Sequence, residues 1–174
     1  MPQKALFINS EIWILVFGGA FQRANVYKEN ISENQRKEFR EFLMGYVDSE
    51  LLPQYKTVVN EDAHIQNIES LIAHANQKAE LLKENRLRFG VAQKIVNLFL
   101  KYHWCLGNIE CPPHFPVDRI IQGKLKIPIT AWTEMDDVEQ YKEIINFAKE
   151  KASAEGLSLA QWELQNFSRR FSIA

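Results

Sequence analysis

Residues 86–122 read RLRFGVAQKIVNLFLKYHWCLGNIECPPHFPVDRIIQ, and the interpretation of this stretch decides the fold. With an advance of about 100° per residue, a helix beginning just after Gly90 and ending near Leu106 carries Gln93, Asn97, Lys101 and Trp104 within an arc of about 80°, with Lys94 at about 100°. Ile95, Val96, Leu98, Phe99 and Leu100 cover much of the remaining circle. Such a cylinder sits among other helices and must aim its polar strip at solvent, a cleft or hydrogen-bonding partners. Gly90 permits a turn that a side chain would forbid and also lets another backbone come close. Lys94 is expected in the first turn, where the positive helix end disfavours an ammonium group, a setting that suits a nucleophile or a phosphate contact.

Pro112, Pro113 and Pro116 then restrict the loop carrying His114, so that residues leaving it are positioned at low entropic cost. Asp118 falls near the start of a short helix expected from about Val117 to Leu125. A carboxylate there serves either as an ordinary helix N-terminal stabiliser or as a group held opposite Lys94.

Working outward, the rest of the chain also has helical spacing. Ser10 opens a run through Ile12, Trp13, Val16, Phe17, Ala20 and Phe21, in which Gly18 and Gly19 point to close helix packing. Ser32 and Gln35 form a capping box before Phe39, Phe42 and Leu43. Asn60 caps a third helix through Ile65, Ile68, Leu71 and Leu82, which bears His64 and His74 as core or solvated histidines. Val138, Tyr141, Ile144, Ile145 and Ala148 mark another helix, stopped by Gly156. Ser158 starts the last, with Trp162, Leu164 and Phe167 inward and Arg169 and Arg170 at its end. With no alternating strand pattern, the expectation is an all-α, single-domain helical bundle over 1–174. Its N-terminal helices lie in 1–85, its central segment in 86–126 and its C-terminal helices in 127–174.

An apolar share of 46% and a charged share of 25% are those of a soluble globular protein. No uninterrupted apolar run reaches about eighteen residues, so no membrane span is expected, and without a clear signal peptide the chain reads as cytoplasmic. Cys105 and Cys111 fit reduced thiols. His103, Cys105, Cys111 and His114 are crowded, yet their spacing matches no standard zinc pattern, so neither metal nor cofactor is expected. Against a net charge of −1, Lys83, Arg86, Arg88, Lys94, Lys101 and Arg119 form a local basic zone.

Phe89-Gly90-Val91-Ala92-Gln93-Lys94 resembles the hairpin of the helix-hairpin-helix DNA glycosylases, and Phe115-Pro116-Val117-Asp118-Arg119-Ile120 resembles their Pro-Val-Asp segment. The resemblance implies a helix-hairpin-helix-like element, a DNA partner and base excision, with Lys94 as nucleophile, where strand cleavage follows, and Asp118 as acid-base group. It places Gly90 and Val91 in a turn that grips a phosphate. Arg86, Arg88, Gln93, Asn97, Lys101, His114 and Arg119 are the further expected DNA contacts, with Trp104 as a platform for the flipped base. The alternatives are a non-catalytic nucleic-acid binder, or a helical protein-interaction module that touches no nucleic acid.

Overall fold

The computed structural model describes residues 2–167, so Arg169 and Arg170 lie outside the described residues. The fold is all-α, and the described residues form seven α-helices: α1 (Gln3–Phe21), α2 (Glu33–Tyr46), α3 (Glu61–Ala75), α4 (Phe89–Cys105), α5 (Arg119–Leu125), α6 (Val138–Ala154) and α7 (Leu159–Asn166). Among the described residues the only β pairing is an isolated bridge between Tyr27 and Leu82.

The anticipated caps are present at α2, α3 and α7. Ser32 and Ser158 each close a full capping box with the glutamine three residues on, and Asn60 Oδ1 accepts from Ala63 N at 2.8 Å. These interactions satisfy backbone N–H groups that a helix start otherwise leaves open. Helix α1 begins earlier than expected, at Gln3, because Ser10 does not cap it: its hydroxyl donates to Phe7 O within the helix.

Helix α4 is the axis of the bundle, with residues 89–100 all buried. Helix α1 lies against it so closely that a Cβ on Gly19 would stand 2.7 Å from Leu98 Cδ2, which accounts for a small residue there. Trp13 stacks on Phe99 with ring centroids 4.5 Å apart across the same contact. His64 is fully buried on α3, while His74 stacks on Phe42 and Tyr46.

Two further helix starts are now fixed. Helix α4 starts at Phe89 with Arg88 as its cap, so Gly90 lies in its first turn and Lys94 beyond it, away from the positive helix end. Phe89 and Ala92 stand where the hairpin motif has proline and glycine, and both continue a helix readily. Helix α5 starts at Arg119, with Asp118 before it. Helix α1 is long and apolar enough to cross a membrane by length and composition alone. In this fold one face of it, carrying Ile12, Trp13, Val16 and Phe17, is part of the core.

Candidate active site around Lys94 and Asp118

The central polar strip is not solvated; much of it is turned inward. Gln93, wholly buried, accepts from Val117 N at 3.1 Å and donates to Val117 O at 2.9 Å. One amide thus pairs with both backbone groups of the residue before Asp118, as a neighbouring strand would. The same Nε2 donates to Gly90 O at 2.9 Å, and Oε1 also accepts from Asn97 Nδ2 at 3.2 Å. The proline-restricted segment is thereby fixed to α4 in one register.

That register sets Asp118 against Lys94. Lys94 Nζ donates to Asp118 Oδ2 at 2.7 Å, with side chains only 7% and 13% exposed. Asp118 Oδ1 meanwhile accepts from Ile120 N and Ile121 N at 2.9 and 3.0 Å. Both readings of the aspartate therefore hold at once: one oxygen caps α5 and the other meets the amine. Because the cap fixes the carboxylate, its second oxygen cannot swing away without opening the helix start.

Gly90 explains why the N-terminal end of α4 is so tightly covered. Its N–H donates to Met135 O at 2.8 Å, and a Cβ there would lie 1.7 Å from Trp132 O. The glycine serves close backbone approach rather than a turn. With its N–H used and Val91 buried, neither residue offers the phosphate contact that the resemblance assigns to them. The approach also brings the Trp132 ring to 5.7 Å from Lys94 Nζ, within cation–π range. Trp104, ten residues along α4 and so about 15 Å away, is half-buried against the core. Among the described residues, Trp132 rather than Trp104 sets an aromatic ring beside the pair.

A second buried pair lies beside the first. Lys101 Nζ donates to Glu163 Oε2 at 2.7 Å, with the Glu163 side chain 2% exposed. Burial raises the Glu163 carboxyl above its ordinary range, although Lys101 and, more weakly, Lys94 pull it down. Sequence reading missed Glu163, which one turn of α7 among apolar neighbours gave no reason to separate from a surface glutamate.

The other expected contacts are placed differently. Asn97 donates to Tyr141 OH at 3.0 Å, and His114, 1% exposed, shares a 3.0 Å hydrogen bond with the same hydroxyl. Gln93, Asn97 and His114 are thus positioning groups in a buried network rather than lining for a cleft. Arg86 pairs with Glu84 and Asp136, and Arg88 with Glu84. Arg119 is exposed at the start of α5. Among the described residues no cluster of histidine, cysteine and carboxylate side chains is arranged to hold a metal.

The network carries a pH consequence. Burial pushes His64 down to about 3, with His114 nearby as a lesser cause, and burial followed by Lys149 does the same to His114. In the unfolded chain both would titrate near 6.5. Above that pH both states leave them neutral; below it only the unfolded chain takes up protons. Stability is therefore expected to fall as pH drops from about 6.5 towards 3, by at most about 1.4 kcal/mol per pH unit for each histidine. Urea midpoints at pH 7 and pH 5 measure this, and His64→Gln and His114→Gln should each flatten the slope. Equal slopes in wild type and both variants would contradict the assignment.

Comparison with protein-family models, curated proteins and solved structures found no match.

Proposed function

We propose that this chain is a DNA glycosylase-like base-excision protein in which Lys94 and Asp118 act at the sugar C1′ of a flipped nucleotide. The observation that carries the reading is the 2.7 Å approach of Lys94 Nζ to Asp118 Oδ2, made by the two segments that resemble that family. Breaking an N-glycosidic bond builds positive charge on the sugar, which Asp118 stabilises as its carboxylate is restored on passing a proton to the departing base. Lys94 passes one proton to Asp118 and attacks C1′. The C1′–N bond breaks with its electron pair leaving on the base, which takes that proton. The attached Lys94 nitrogen then gives a proton to the sugar ring oxygen O4′ as the C1′–O4′ bond breaks, which opens the ring and leaves a Schiff base on Lys94. The pair is largely covered, so a sugar reaches it only once part of that cover, such as Trp132, moves aside.

A second reading, a helical interaction module without catalysis, draws support from α1, where Phe7 and Ile14 are 62% and 65% exposed. A panel of duplex and single-stranded oligonucleotides with damaged, deaminated or alkylated bases separates the two. Base release by the wild-type protein, lost in a folded Lys94→Gln variant and strongly reduced in Asp118→Asn, is the expected result. No release from any oligonucleotide leaves the non-catalytic readings, a nucleic-acid binder if the oligonucleotides are bound and the interaction module if they are not.

A further inference from the structure

Helices α1 and α2 enclose a groove of about 1110 Å³ that shares no residue with the Lys94–Asp118 pair. We propose that this groove binds an amphipathic monocarboxylate, with the carboxylate on Arg36 and a linear apolar tail along α1. One wall is apolar, formed by Ile14, Phe17 and Phe21 of α1, with Tyr27 and Met44 nearby; the other is basic, formed by Arg36, Lys37 and Arg40 of α2. Five cations line the groove against three carboxylates, and the pairing of those charges decides where an anion goes.

Glu33 meets Arg40 at 2.6 Å and Glu41 meets Lys37 at 3.8 Å. Among the described residues no carboxylate oxygen comes within 4 Å of Arg36, although Glu33, one turn earlier on α2, attracts it more weakly than it does Arg40. Its Nε is buried without a hydrogen-bond partner, and its guanidinium carbon lies 5.2 Å from the Tyr27 ring centroid. Packing on an aromatic ring, with no direct ion pair, places this guanidinium. A partly desolvated guanidinium in that position favours a carboxylate, which it can bind through two parallel hydrogen bonds.

The size and the apolar wall specify the rest of the ligand. A groove this large is at the upper end for small-molecule sites, which are mainly apolar with a few polar groups that fix orientation. A bare phosphate would leave the α1 wall unused. A flat bilayer surface would not fill a concave groove, which favours a free amphiphile over a membrane.

The test titrates decanoate, kept below self-association, into the full chain and follows backbone amide NMR shifts, with 1-decanol as the uncharged comparator. Decanoate is expected to shift α1 and α2 amides around Ile14, Phe17 and Arg36. Arg36→Gln should weaken decanoate by about tenfold or more and leave the weaker 1-decanol binding unchanged. Ile14→Asp, at a position too exposed to threaten the fold, should weaken both ligands. The spectra report whether each variant remains folded. The proposal is overturned if decanoate shifts no groove amides, if Arg36→Gln binds it as wild type does, if 1-decanol binds equally well, or if only anionic phosphatidylglycerol vesicles bind.

Discussion

Asp118→Ala is expected to destabilise the fold by about 3–5 kcal/mol, more than a surface ion pair would account for. Two losses combine. The substitution removes the carboxylate 2.7 Å from an ammonium group that is only 7% exposed, and it removes the acceptor of two N–H groups at the start of α5. Asp118→Asn separates them, because its side-chain oxygen can still cap α5 while the charge is gone. It should therefore cost about 1 kcal/mol less than alanine. Lys94→Met, combined with Asp118→Asn, should recover part of the loss, since no buried charge is then left facing a neutral group. Denaturant midpoints for wild type, Lys94→Met, Asp118→Asn and the double variant make this a thermodynamic cycle. Equal losses in alanine and asparagine variants would mean that the cap contributes nothing.

The second large effect is at Gly90. In an exposed helix Gly→Ala stabilises by about 1 kcal/mol, and Gly18 of α1, with nothing within 4 Å of a built Cβ, should show that gain. At Gly90 the added methyl would meet Trp132 O at 1.7 Å, a backbone atom with no rotamer through which to escape. Either the 131–135 segment lifts, losing the Gly90 N–H to Met135 O bond, or α4 shifts within its packing. A net loss of about 3 kcal/mol is expected, at the upper end for overpacked cores. Because the same segment carries Trp132 over Lys94, a lifted segment should also change Trp132 emission. A stabilised Gly90→Ala protein would show that the close approach is not real.

Much of this architecture was legible in the sequence because helix-forming signals are local. The Ser32 and Ser158 boxes and the Asn60 cap use residues three apart, and the apolar spacing of α3, α4 and α6 reflects a period any single segment displays. The opposition of Lys94 and Asp118 was one of two readings left open for the aspartate, the other being a helix N-terminal stabiliser, and the geometry joins both. What escaped was set by partners distant in sequence. Gly90 gave the signal for either a turn or a close contact, and only the 131–135 segment decides between them. Gln93 and Asn97 looked like ligands for something outside the chain; their partners are Val117 and Tyr141. Glu163 was invisible because a buried carboxylate is recognised by its counter-ion, and Lys101 lies 62 residues earlier.

The most direct measurement is borohydride capture on oligonucleotides carrying an abasic site or a damaged base, followed by peptide mapping of the adduct. The account predicts a covalent protein–DNA species joined through Lys94, absent from Lys94→Gln and slow to form in Asp118→Asn. Capture through a different lysine, or undiminished capture in Lys94→Gln, would contradict it.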